Sequence, residues 1–252
     1  MDLDPNDPNT MALVSEEIQR LIITAQVPPD LEAAIVSAYE ELRTKAGDKA
    51  PDTPLKMSMR SSAIGEDEEL SHAGQYLSML NVSPDKLVQT YKFIVASLYT
   101  PRAISYRLAK GIREEDVVMS VACLQMVESV ASGIAYSRHP FNMLDDHIVI
   151  SAVWGLGPYA VGGVITPDTY RVSKGDEFRI LETKISRKPV QLVCNPDGGL
   201  LDIPVPEELQ DKPCLTPEQV RTLAEYTLKL ESHFKCPQDI EWAIDGEGRL
   251  LV

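Results

Sequence analysis

The feature that most narrows what this chain can fold into is a change of hydrophobic period near Val117. Upstream, apolar residues recur every three to four positions. Val14, Ile18, Leu21, Ile22 and Ala25 form one stripe, and Leu31, Ile35, Ala38 and Leu42 form another after the Pro28-Pro29 break. These predict two helices, the second capped by Asp30 and stopped by Gly47, followed by a linker from Gly47 to Pro54. A third helix is predicted from Ser83-Pro84 through Leu87, Tyr91, Val95 and Leu98, and a fourth from Thr100-Pro101 to Gly111, each with proline at its first position. Downstream the texture is that of strands: Val117 to Val127, Gly133 to Ser137, His147 to Trp154, Thr169 to Ser173, Phe178 to Thr183 and Val190 to Val193. Thr216 to Gln219 has capping-box spacing and opens a helix through Val220, Leu223, Ala224, Thr227 and Leu230. A strand, Asp239 to Asp245, and its return arm, Arg249 to Val252, close the chain. The expected organisation is a helical segment at 1–54, a first lobe at 55–116 and a sheet-rich second lobe at 117–252.

Charge limits the partners. The 24 basic and 38 acidic residues give a net charge of -14, which repels nucleic acid and anionic membranes alike. The excess is uneven: 4 basic against 11 acidic residues in 1–54, 8 against 8 in 55–116, and 12 against 19 in 117–252. An anionic ligand is least repelled in the middle segment. Cys123, Cys194, Cys214 and Cys236 form no C-x-x-C pair, so reduced thiols in a cytoplasmic protein are expected. His72, His139, His147 and His233 lack metal-site spacing. No apolar run is long enough to span a bilayer, and the acidic start is unlike a signal peptide.

Two clusters can carry chemistry. Met59-Arg60-Ser61-Ser62-Ala63-Ile64-Gly65-Glu66-Asp67, followed by Ala73-Gly74-Gln75, sets an arginine among hydroxyls and glycines. As a loop, it would offer free backbone N–H groups while the guanidinium forks onto phosphate oxygens. A surface arginine in a polar loop is the equal alternative. In Asp239-Ile240-Glu241-Trp242-Ala243-Ile244, alternation places Asp239, Glu241 and Ala243 on one face and Ile240, Trp242 and Ile244 on the other. These acids read first as the wet face of a half-buried strand. Mg2+, which takes hard oxygen ligands shared between carboxylates and phosphates, would also suit Glu241.

Together these segments resemble the nucleotide-binding domain of the phosphoenolpyruvate synthase and pyruvate phosphate dikinase family. Arg60 to Ala63, Glu66-Asp67 and Ala73 to Gln75 follow the order of that family's R-S-S-A, acidic pair and A-G-Q, and Asp239 to Trp242 matches its D-I-E-[WF]. Leu124 to Val127 with Ser132 to Ala135 resembles its V-Q-x-M-V...S-G-V hinge. Trp154 to Gly157 and Thr166 to Asp168 are similar to its W-G-L-G-E and N/T-P-D turns, which face the nucleotide. The resemblance implies an α+β protein of the ATP-grasp fold, two lobes with the nucleotide cleft between them, with ATP and Mg2+ as cofactors. It implies that Arg60, Ser61, Gly74 and Gln75 meet phosphates, that Gln125, Met126 and Val127 flank adenine, that Gly157 and Asp168 face the cleft, and that Glu241 holds the metal. It further implies transfer of the β-phosphoryl group to a histidine on a swivelling domain, then to pyruvate on a pyruvate/PEP-binding domain.

Pro158 departs from the pattern, standing where the family has glutamate. The family's G-G-K loop would lie upstream of Met1 and its L-Q-x-R after Val252, so a fragment of a multidomain enzyme, inactive alone, is expected. A rifampin-type antibiotic phosphotransferase shares the same nucleotide domain. A noncatalytic binding module, degenerate at Pro158, is the reading from another class.

Overall fold

The computed structural model describes residues 7–47, 54–63, 76–142 and 144–252. It is an α+β chain that divides into two compact units, one of residues 1–126 with 197–199 and one of 127–196 with 200–252. In the first, Asp7 caps α1 (Pro8–Thr24) by accepting from the Asn9 amide at 3.1 Å. Helix α2 spans Pro29–Lys45 with Pro28 at the cap position, so Asp30 is not the cap. It lies in the first turn with Glu32, where carboxylates complement the positive helix end. Gly47, at φ +66°, ends this segment as expected. Helix α3 (Leu87–Ala96) runs between short 3-10 turns at Pro84–Lys86 and Ser97–Tyr99. Thr100 caps α4 (Pro101–Lys110) through the Ala103 amide at 3.3 Å, and Gly111 terminates it at φ +67°.

The segment expected as a phosphate loop is in part a strand. β1 (Met57–Ala63) is the centre of an antiparallel sheet, between β2 (Ser78–Val82) and β3 (Met119–Gln125). The reason is visible in hindsight: Met57, Met59 and Ala63 alternate inward, and the first two join Tyr39, Val82, Leu87 and Ile94 in the core. Met57, Met59 and Arg60 pair on both sides and Ser58 pairs with β3, so backbone groups of this stretch are committed to ladders and do not form a free anion nest. The strand texture that begins near Val117 therefore first supplies β3 to this unit, before the second sheet starts.

The second unit is built on a six-stranded antiparallel sheet, in the order β11 (Leu250–Leu251), β10 (Asp239–Asp245), β4 (Ser129–Tyr136), β5 (Ile148–Trp154), β6 (Asp168–Val172) and β7 (Ile180–Lys184). Helix α7 (Pro217–Phe234) lies on one face. Its capping box is formed as expected: the Gln219 amide donates to Thr216 Oγ1 at 3.2 Å and the Thr216 amide to Gln219 Oε1 at 2.9 Å. Val220, Leu223 and Ala224 of α7 share a core with Ala135, Ile148, Ile150, Tyr170, Val172 and Trp242. Each fully buried aliphatic side chain there contributes roughly 1.5–3 kcal/mol. A hairpin of β8 (Val190–Cys194) and β9 (Leu200–Pro204) completes the strands; the second arm has no clear alternation and was not expected. Short helices α5 (Pro158–Val161) and α6 (Glu207–Gln210) lie in the connections. Among the described residues, no helix is long and apolar enough to cross a membrane.

One position carries the packing of this sheet. A Cβ on Gly133 would lie 1.8 Å from the Ser151 carbonyl oxygen and 2.8 Å from Trp242 Cζ2, because the indole crosses β4 at that point. Gly246 has nothing within 4 Å of such an atom and no positive φ. Gly133→Ala is expected to destabilise the chain by more than about 3 kcal/mol or to prevent folding, and Gly246→Ala to stay within about 0.5 kcal/mol, as read by urea denaturation.

Candidate functional site

Strand register decides which candidate side chains share a surface. On β1, Ser58, Arg60 and Ser62 point away from the core, while Met57, Met59, Ser61 and Ala63 take the other face. Arg60 is exposed, opposite Ala122 on β3 and Ser78 on β2. Ser61 thus lies on the opposite face from Arg60. The hydroxyl nearest in sequence that shares the arginine's face is Ser62, which is itself exposed and opposite Ser120.

Gln125 is paired with Met57 and so belongs to the other face of the first sheet, about 10 Å along the strand from Arg60 at ~3.3 Å per residue. Its neighbour Met126 extends the ladder, donating its amide to the Lys56 carbonyl at 2.9 Å. Met126 and Val127 are half-buried. Gly65, Glu66, Asp67, Gly74 and Gln75 lie outside the described residues.

In the second unit the six-stranded sheet has one apolar and one largely polar face. Cross-strand partners place Glu241, Ile134, Ser151, Thr169 and Lys184 in one row across the polar face. Asp239, Tyr136, Val149, Arg171 and Glu182 form the adjacent row. Glu241 and Asp239 therefore lie at one end of these rows, about 14–19 Å at ~4.8 Å per strand from Arg171 and Lys184, beside which Glu182 adds a further acid. Glu241 and Asp239 are both exposed on β10, two residues apart. Although the residue as a whole is exposed, partial desolvation of its carboxyl, and then the neighbouring Glu241 charge, hold Asp239 above its ordinary range. Burial and Asp239 push the Tyr136 phenol upward in turn. Asp239 was legible in the sequence as sharing Glu241's face, but only Glu241 was expected to bind metal.

Among the described residues, no group of three or more His, Cys, Asp or Glu converges as a protein-only metal site. A carboxylate pair is nonetheless a fit for Mg2+, which keeps waters and substrate phosphates in its shell and takes only one or two protein carboxylates.

The expected turn residues behave differently from each other. Gly157 follows β5 and begins α5; its carbonyl accepts from the Ala160 and Val161 amides at 2.9 and 3.1 Å. Pro158 fits the first position of that helix, where no amide donor is needed. Gly155 is the constrained glycine, with φ +74° and a Cβ position only 2.3 Å from the Leu192 carbonyl oxygen. Its carbonyl accepts from Ser132 Oγ at 2.7 Å and Ser129 Oγ at 3.0 Å.

Asp168 lies on the apolar face, in the row Trp242, Gly133, Ala152, Asp168, opposite in facing to Glu241. It is 0% exposed. Its Oδ1 accepts from Lys188 Nζ at 2.5 Å and the Ser186 amide at 3.0 Å, and its Oδ2 from the Cys214 amide at 2.9 Å. Burial, and then the Asp168 charge, raise both the Tyr170 phenol and the Cys214 thiol well above their ordinary ranges.

Comparison with known proteins agrees with the pattern. Residues 1–252 match the family described as pyruvate phosphate dikinase, AMP/ATP-binding domain. The phosphoenolpyruvate synthase of Aeropyrum pernix is 40% identical over 266 residues, covering 95% of this chain and 32% of that protein. The phosphoenolpyruvate synthase of Pyrococcus furiosus is 35% identical over 258 residues, covering 99% of this chain and 31% of that protein. A probable phosphoenolpyruvate synthase of Methanocaldococcus jannaschii is 34% identical, with 96% of this chain and 20% of that protein covered. The chain thus spans a third or less of the length of these relatives. It belongs to the pyruvate phosphate dikinase AMP/ATP-binding domain family.

Proposed function

We propose that this chain binds MgATP as the ATP-grasp portion of a cytoplasmic, phosphoenolpyruvate synthase-like dikinase, with the nucleotide held between two lobes. The observation that carries the reading is the exposed pair Asp239 and Glu241 on the polar face of a sheet in a chain of this family. Mg2+, when bound, would neutralise phosphate oxygens and favour departure of the transferred group. Glu241 supplies its principal protein ligand, and Asp239 stands beside it as a second carboxylate. Arg60 forks onto phosphate oxygens through its guanidinium, with Ser61 among the phosphate-side residues, Ser62 on the arginine's own face, and Gly74 and Gln75 following. Backbone groups at Gln125, Met126 and Val127 receive the adenine, and the Gly157 turn borders the nucleotide. The β-phosphoryl group then passes to a histidine of a swivelling domain and on to pyruvate at a pyruvate/PEP-binding domain, with AMP leaving and the γ-phosphoryl group going to water or phosphate. This chain's contribution is placement and charge neutralisation, and covalent chemistry belongs to the acceptors.

One observation favours a second reading, a noncatalytic nucleotide module: Pro158 stands where a carboxylate would face the ligand. Pro158→Glu decides between them, since a large gain in MgATP affinity means that the site has decayed, and little change supports the dikinase reading.

Calorimetric titration tests the site directly. Arg60→Ala is expected to weaken MgATP binding roughly ten- to a hundredfold, the equivalent of about 1.5–3 kcal/mol for charge-assisted hydrogen bonds; unchanged affinity would remove Arg60 from the site. Glu241→Gln is expected to abolish the advantage of MgATP over ATP alone. The pH dependence has a definite sign. A carboxyl raised by burial and a neighbouring charge takes up its proton at higher pH than usual, and the protonated form does not bind metal. Mg2+-dependent affinity should therefore fall as the solution is acidified, starting above the ordinary carboxylate range near ~4. Asp239→Asn should shift that loss to lower pH, and an unchanged profile would exclude Asp239 from the metal site.

A further inference from the structure

Asp168 and Lys188 form an ion pair on the side of the six-stranded sheet that faces away from the polar surface. Both side chains are 0% exposed and their ion pair spans 2.5 Å. A buried ion pair is a poor device for stability alone, because an apolar pair of similar volume often does as well. What it supplies is direction. Asp168, at the start of β6, holds Lys188 and the Ser186 amide with one oxygen and the Cys214 amide with the other. Lys188 Nζ returns a second bond to the Ser186 carbonyl at 2.6 Å. The same segment is gripped from behind by Gln210, whose carbonyl accepts the Lys188 amide at 2.8 Å and whose Oε1 accepts from Arg187 at 3.0 and 3.1 Å.

Two residues beyond Lys188 the chain enters β8. Its Leu192 carbonyl accepts the Leu156 amide at 2.8 Å, and Gly155 bridges to the same residue. The approach is so close that Gly155 tolerates no side chain. The position of β8 thus sets the position of the Trp154 to Gly157 turn, and the ion pair sets where β8 begins.

We propose that Asp168 and Lys188 are positioning residues for nucleotide binding, acting through β8 on the Gly155 to Gly157 turn, with neither side chain touching the ligand. This rests on the MgATP reading above for its functional consequence, and gives Asp168 a role that runs through Lys188 and β8 in place of direct contact.

The test uses the whole chain and three forms: wild type, Lys188→Met, and the charge-free double variant Asp168→Asn/Lys188→Met. Lys188→Met leaves a buried carboxylate without its cation and should melt well below wild type. The double variant should recover most of that loss. Amide hydrogen exchange at Leu156 is expected to be at least tenfold faster in the double variant than in wild type, while ladder amides between β4 and β5 stay protected. Its MgATP affinity should remain at least tenfold below wild type. Unchanged exchange at Leu156 overturns the proposal whether or not nucleotide binds. Faster exchange with wild-type MgATP affinity overturns it too, because the turn would then not matter to the ligand. If wild type itself binds no MgATP, the functional reading fails, and the positioning proposal, which requires a nucleotide site, falls with it; a changed Leu156 amide would then show only a structural linkage.

Discussion

The second unit depends on the close approach of β4 and Trp242 at Gly133. With only a hydrogen at that position, the indole can lie across the strand and seal the apolar face under α7. Once that face is closed, period-2 alternation leaves no freedom: every residue out of step with Trp242 must lie on the opposite side. Glu241 and Asp239 are presented together for this reason, and Asp168, in step with Trp242, is withdrawn into the interior. A register shift of one residue in β10 would exchange the two sets, burying the acids and exposing the indole.

The same logic governs the first unit. Arg60 emerges from a central strand anchored by Met57 and Met59, so its guanidinium is carried on a rigid ladder and not on a loose loop. The ladder fixes the backbone beneath the guanidinium, so ordering costs in the proposed phosphate contact are confined to the side chain. The arrangement changes the expected division of labour: backbone groups of Met57, Met59 and Arg60 are paired on both sides by the sheet, which leaves the proposed phosphate contact to the side chain.

Local signals in the sequence were legible where a short-range motif determines geometry. Thr100-Pro101 and Gly111 bound α4, Thr216 and Gln219 form their reciprocal cap, and the alternation of β10 gives both its faces. The misreadings have physical causes. Arg60 to Ala63 carry hydroxyls that suggest a loop, while the inward methionines just before them were the stronger cue for a strand. Asp30 follows a Pro-Pro pair in which the second proline already opens the helix, which leaves it inside the first turn. The pairing of Asp168 with Lys188, by contrast, contradicts no expectation but could not be foreseen, since the partner is twenty positions away across an intervening strand and no local pattern announces such a pair. Strand β9 has no clear alternation to reveal it, being half of a two-stranded hairpin that presents little apolar surface.

The proposed role of the acid pair on β10 is to hold the metal of a MgATP ligand. It is tested most directly by calorimetric titration of ATP into the wild-type chain with and without Mg2+. A single saturable site, bound more tightly when Mg2+ is present, is the predicted result. Absence of saturation in both titrations, or equal affinity with and without the cation, would contradict it.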